Sequence, residues 1–244
     1  MNKQTTLIIG ASSAIAKALA AQVIADPDAE LVLVSRDVSY YQSAEFEHAK
    51  LVRVNDYQEA EIGLAVARIQ RATESDIARV FICHGVLHND NCQPEKRLED
   101  FSAASFTEIV SANTITPMLW LKSLMPILTG RQKCKVVVFS ARVGSIADNA
   151  IGGWYSYRAS KAAMNMLLKS AAVELARRAK NIKLISFHPG TTDTPLSKPF
   201  QRSVPDGKLF TSEFVAEQLL SIVADTPVDG TASFLDWQGK TIPW

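Results

Sequence analysis

Cysteine is scarce in this chain of 244 residues, and the pattern of what is there excludes two roles. Cys83, Cys92 and Cys134 form an odd set without metal-ligand spacing. They suggest neither a disulfide framework nor a zinc site, and point to a reducing, cytoplasmic setting. No apolar run reaches the length of a membrane span. The N-terminus lacks a basic stretch followed by a long apolar one, so no secretory leader is expected. Charge of one sign is not in excess either: 26 Lys and Arg face 25 Asp and Glu, for a net charge of +1. That balance argues against nucleic acid or an anionic membrane as the principal partner. Repeats and low-complexity tracts are absent. A single domain over 1–244 is expected, a size at which a large core can be buried.

What is present is an alternation of strand and helix. The β-branched run at 5–9 is long enough for a buried strand. The small residues Gly10 to Ala16 follow at once, and then an Ala-rich helix that stops near Pro27. Further strands are expected at 31–34, 51–54, 79–82, 135–139 and 182–187. Helices are expected at 59–73, with Ile62, Val66 and Ile69 on one face, at 106–125 with Pro117 as a kink, and at 155–179. Residues 86–100 read as polar and irregular. Six strands separated by helices imply a mostly parallel, doubly wound sheet with helices on both faces.

Two places in this frame carry chemistry. A small-residue turn between a strand and a helix lets backbone N–H groups approach a phosphate. At the tip of the second strand stand Ser35 and Arg36. An Arg there accommodates the 2′-phosphate of NADP, where a carboxylate would hold the 2′-hydroxyl of NAD. Asp37 is one step further on, so NADP(H) is the expected cofactor ahead of NAD(H). The other place is Tyr157 and Lys161. Four residues apart on a helix, they point the same way. A nearby ammonium favours the phenolate, which makes the pair an acid/base device for a carbonyl or an alcohol.

With these motifs in order, the chain resembles the short-chain dehydrogenase/reductase family over nearly its whole length. Gly10 to Ala16 stands where the family has its glycine-rich turn, and Cys83-His84-Gly85 where it has Asn-Ala-Gly. Asn113 matches the helix Asn, and residues 139–145 the serine-bearing strand end. Tyr157 and Lys161 match the catalytic pair, and 188–194 the Pro-Gly segment. The stretches 144–146, 152–158 and 236–244 are most similar to the branch of C-factor and the Sniffer-type carbonyl reductases. The resemblance implies a three-layer α/β/α Rossmann-type domain that reduces a ketone or aldehyde with NADP(H). Tyr157 would donate the proton, Lys161 would lower its pKa and hold the nicotinamide ribose, and Asn113 would hold a water for proton resupply. Gly10, Ser12, Ser13 and Ile15 would meet the phosphates. Ser35, Arg36, Asp56, Cys83 and Gly85 would face the adenosine half. Pro189, Gly190, Thr192 and Thr194 would meet the carboxamide or pyrophosphate. Residues 194–212 would form a substrate lid, and the helices 106–125 and 155–179 would pair subunits into a homodimer or homotetramer.

The chain departs from the family pattern in the turn and at the serine. Ala14 and Ala16 replace two glycines, which adds methyl groups near phosphate and strand. The family serine, usually thirteen positions before the Tyr, falls on Gly144, or on Ala141 if the strand ends are aligned. Ser140 and Ser145 are the candidates for its role. Alternation along a strand turns Ser140 away from the side Ala141 faces, which favours Ser145. His84 is either a cofactor contact or a structural residue, and His188 either lines the pocket or sets a turn. Trp154, Phe200 and Trp244 are candidates for an apolar pocket, whereas Met164 and Met166 read as packing. These departures leave a second function open: a nucleotide-binding signalling or interaction protein with little turnover.

Overall fold

A computed structural model describes residues 3–244. Seven strands form one parallel sheet: β1 (Gln4–Ile9), β2 (Ala29–Ser35), β3 (Lys50–Arg53), β4 (Ile77–Ile82), β5 (Cys134–Phe139), β6 (Ile182–His188) and β9 (Ala232–Asp236). Their order is β3-β2-β1-β4-β5-β6-β9. A further parallel pair, β7 (Thr191–Thr192) with β8 (Leu209–Phe210), stands apart. The chain reverses direction of travel between β1 and β4, so a crevice opens at their C-terminal ends, where doubly wound folds bind ligands.

Side chains alternate across each strand, and the two faces are covered by different helices. α1 (Ala14–Ile24) and α6 (Ser212–Asp225) pack on one face over Ile8, Leu33, Phe81 and Phe187. α2 (Glu59–Ala72), α4 (Thr116–Leu128) and α5 (Tyr155–Arg178) pack on the other over Leu7, Val80, Val136 and Leu184. Full burial of both faces explains why the strands are apolar runs and not alternating ones.

Six of the seven strands lie where the sequence predicts them, and β9 is the exception. Its residues Ala-Ser-Phe-Leu-Asp carry little β-branched signal, and the strand exists because the edge of β6 pairs with it from Leu184 to His188. The helix expected at 106–125 begins earlier, with α3 (Ala103–Val110), and continues through a π turn at Ser111–Ile115 into α4. Pro117 accounts for the irregularity. It has no N–H for the carbonyl of Asn113, and its ring crowds that carbonyl.

At the N-terminal edge of the sheet, away from the crevice, Glu30 ties four segments together. Its carboxylate accepts from Thr5 Oγ1 at 2.5 Å, Lys50 Nζ at 2.6 Å, Ser75 Oγ at 2.8 Å and the Glu74 and Ser75 N–H groups. Burial alone would raise this carboxyl. The hydrogen bonds from Lys50, Thr5, Ser75 and Glu74 outweigh it and hold the group at about 2. Its folded pKa lies below the ordinary 4.5, so the stabilisation is full above that value and is lost as pH falls toward 2. Glu30→Gln should therefore cost about 3 kcal/mol at pH 7, with a smaller loss below pH 3. Urea unfolding at both pH values checks this.

Candidate active site

The crevice is a cavity of about 810 Å³. On one side it is bounded by the turn after β1. Gly10 has φ +75°, a conformation that disfavours side chains, and a Cβ there would meet the Cys83 carbonyl carbon at 3.2 Å. The N–H groups of Gly10 and Ala11 both bond the Val34 carbonyl, at 2.9 and 3.0 Å, and Tyr41 Oη donates to the Ala11 carbonyl at 2.6 Å. Ser13 caps α1 by accepting from the Ala16 N–H at 3.3 Å. Neither Ala14 nor Ala16 has positive φ, so the backbone there does not require glycine.

α5 brings the reactive pair to the floor. Tyr157 and Lys161 are both buried and line the cavity. The Lys161 ammonium donates to the Phe139 carbonyl at 2.8 Å and lies 5.8 Å from the Tyr157 ring centroid. Burial pulls Lys161 down to about 8. Contrary to the expected lowering by Lys161, burial pushes the Tyr157 phenol above its usual range, so it stays protonated at neutral pH and suits a proton donor.

The start of α5 is fixed by a residue distant in sequence. Gly152, Gly153 and Trp154 have φ of +72°, +68° and +51°, three left-handed residues in a row. Trp154 holds this conformation against a steric cost. Its N–H donates to the Glu95 carbonyl at 2.5 Å, and Arg158 bonds the carbonyls of Gly152 and Gly153, each at 2.9 Å. The buried Glu95 carboxylate accepts from the Ser156 N–H and from its hydroxyl. It satisfies donors that the helix leaves open and places negative charge at the N-terminal end of the helix dipole. Trp154 is thereby held in the cavity wall, its ring 5.0 Å from Phe200 and 6.3 Å from Tyr157.

Asn113 sits behind the wall in the π turn and is fully buried. Its amide accepts from the Val86 N–H at 2.7 Å and donates to the Val86 carbonyl at 2.8 Å and to Ser160 Oγ at 3.0 Å. The side chain is thus a clamp between the strand end and α5. The backbone carbonyl, denied its α-helical partner by Pro117, is the group with capacity left to hold a water.

The serine expectation is corrected. Ser145 does not line the cavity; it is buried and its Oγ accepts from the Asp148 N–H at 3.1 Å. Ser140 does line it, but its hydroxyl donates to Asn165 Oδ1 at 2.9 Å. Gly144 admits no side chain, because a Cβ would lie 2.7 Å from Lys161 Cβ. Ala141 faces the cavity and has no hydroxyl. One pocket candidate also changes: Trp244 packs on Phe234 at 5.5 Å, outside the cavity. Of the two methionines expected to pack, Met164 is buried but Met166 is 62% exposed.

Of the remaining expected residues, Ser12, Ser13, Ile15, Cys83 and Gly85 line the cavity on the turn side. Pro189, Gly190, Thr192 and Thr194 line it beyond β6. Ser35, Arg36 and Asp56 do not; they stand at or just past the C-terminal ends of β2 and β3. The Arg36 guanidinium lies 5.0 Å over the Tyr57 ring, and Tyr57 meets the His84 ring edge-on at 4.4 Å. Asp37 accepts from the Ser39 N–H at 2.9 Å. Cys83 is half-buried, and desolvation pushes its thiol well above the ordinary range. The segment after β7 contributes Leu196, Pro199, Phe200 and Val204 to an apolar wall. Glu95 and Asn165 carry no local signal in the sequence, since their partners lie 61 and 21 to 25 residues away.

Three buried polar atoms without a partner belong to residues that line this cavity: His84 Nε2, His188 Nδ1 and Thr192 Oγ1. Orphaned polar atoms together with a glycine turn that a Cβ would fill fit a large polar ligand such as a dinucleotide.

A family model described as short chain dehydrogenase matches residues 4–204. The chain belongs to this family. It is similar to C-signal of Myxococcus xanthus, 30% identical over 147 residues, which are 60% of this chain and 83% of that protein. It is also similar to levodione reductase of Leifsonia aquatica, 30% identical over 203 residues, 79% of this chain and 71% of that one. Against several other curated relatives the match spans only 55–57% of their length. Among solved structures it shares its fold with the carbonyl reductase Sniffer of D. melanogaster, with a TM-score of 0.81 and 20% identity over all of both chains. The expected likeness to C-factor and Sniffer-type proteins and the Rossmann-type sheet both hold. Among the described residues no helix is long and apolar enough to cross a membrane.

Proposed function

We propose that this chain is an NADP(H)-dependent reductase of ketones or aldehydes. The observation that carries it is the buried Tyr157 phenol beside Lys161, whose ammonium is held at 2.8 Å by the Phe139 carbonyl. Ser12, Ser13, Ile15 and Thr192 would hold the cofactor, with Lys161 on its nicotinamide ribose. Hydride to the carbonyl carbon is the chemistry such a cofactor supplies when bound. The remaining tasks fall to the chain. The Tyr157 hydroxyl gives its proton to the carbonyl oxygen. The Lys161 ammonium stabilises the phenolate left behind. The Asn113 carbonyl holds the water that returns a proton. Trp154, Phe200 and the segment 194–212 exclude solvent and select an apolar substituent. Arg36, just past the end of β2, supports NADP(H) over NAD(H), since a guanidinium there can pair with the 2′-phosphate.

A second reading is favoured by one observation: neither candidate serine offers the cavity a free hydroxyl, since Ser140 donates to Asn165 and Ser145 lies outside. In it the chain binds NADP(H) as a signalling or interaction protein and turns over little.

NADPH oxidation against levodione and a panel of aromatic aldehydes separates the two. Wild type should reduce members of the panel, and Tyr157→Phe should lose about a hundredfold in kcat with NADPH affinity little changed. Tight binding without turnover in wild type would leave the second reading.

Arg36→Asp should weaken NADPH and spare NADH, moving the ratio of their dissociation constants by about tens-fold. An unchanged ratio would place Arg36 away from the phosphate.

We also propose a homo-oligomer that pairs through the outer faces of α4 and α5. Met166 and Val173 are 62% and 60% exposed there, and an apolar second helix face needs cover. Light scattering should give two or four times 26.7 kDa; a mass of 26.7 kDa itself would exclude association.

A further inference from the structure

We infer that His188 donates a hydrogen bond to the substrate carbonyl oxygen, in the place a serine hydroxyl occupies elsewhere in the family. The inference rests on the reductase reading above. It begins from a deficit. A carbonyl that accepts hydride develops negative charge on oxygen, and a second donor beside the proton donor stabilises it. Ala141 cannot supply one, Ser145 lies outside the cavity, and the Ser140 hydroxyl is given to Asn165.

His188 is in the right place. It follows Leu184 and Ser186 at two-residue spacing on β6, so all three face α5. Ser186 Oγ donates to Asn165 Oδ1 at 2.6 Å, which fixes the level of helix against strand. From Asn165 to Lys161 is one helical turn, about 6 Å. From Ser186 to His188 is two strand residues, about 7 Å, in the same direction. His188 therefore stands level with Lys161, one turn below Tyr157, and it lines the same cavity.

Its ring is also in the right state. Burial, with Arg142 nearby, pulls His188 down to about 4 against the opposing Asp236, so it is neutral at working pH. Nδ1 is sealed off without a partner. A buried N–H without an acceptor is rarer than a bare lone pair, which puts the proton on Nε2, the ring nitrogen that is not sealed off. The alternatives are engaged or remote. Arg142 is held by Asp148 at 2.9 Å and Asp236 at 3.3 Å. His84 packs on Tyr57 at the turn side. In the reaction His188 neither gains nor loses a proton. The hydride and its electron pair go to carbon, the proton from Tyr157 goes to oxygen, and the imidazole N–H only bridges to that oxygen.

The test uses the full chain with NADPH and the panel carbonyl that wild type reduces fastest. His188→Ala should lower kcat by about a hundredfold, while the NADPH dissociation constant, read from nicotinamide fluorescence, stays close to wild type. His188→Gln, whose amide can still donate, should lose less. Ala141→Ser added to His188→Ala should restore much of the rate, because it returns the hydroxyl. Unchanged kcat in both single variants would overturn the assignment. So would a loss of NADPH affinity that matches the loss of rate, which would make His188 a cofactor contact. A wild type that reduces nothing would instead overturn the reductase reading itself.

Discussion

Much of this molecule is arranged around one buried ammonium. Lys161 is 2% exposed, and a charge so placed must be given acceptors or lose its proton. The Phe139 carbonyl at the end of β5 is the one protein acceptor it has among the described residues. Everything near it is shaped to let that contact form. Gly144 brings the loop after β5 against Lys161, where a Cβ would lie 2.7 Å from its Cβ and 2.9 Å from its carbonyl carbon. Gly85 leaves its Cβ position 3.4 Å from the ammonium. The remaining hydrogen-bonding capacity of the ammonium is what a ribose would satisfy.

The second layer is a set of amides and carboxylates that hold backbone and not ligand. Asn113 joins the end of β4 to α5, and Asn165 joins the ends of β5 and β6 to the same helix. Glu95 closes the helix start. Each spends most of its hydrogen-bonding capacity on protein, as buried polar groups must. The site is therefore stiff in its floor.

How much of this the sequence makes legible depends on range. The β1 turn and the Tyr157–Lys161 pair are local patterns, a run of small residues and a spacing of four, and both lie where expected. The serine is different. Whether a hydroxyl is free depends on who else binds it, and Asn165 sits 25 residues from Ser140. The same holds for Glu95, which lies in a stretch with no periodicity and acts on Ser156 across 61 residues. β9 is hidden for a third reason: its pairing partner, not its composition, makes it a strand.

Cys83 has a consequence in reactivity. A cavity that received electrophilic carbonyls, as proposed, would expose its own nucleophiles to alkylation. The attacking species is the thiolate, and burial pushes this thiol well above its ordinary range. At neutral pH almost none of it is ionised. A soft electrophile such as an enone or a quinone would meet a lining sulfur that does not attack it, and the same protonated thiol resists the first step of peroxide oxidation. The fold thus sets a cysteine at its binding site without making it a point of self-inactivation.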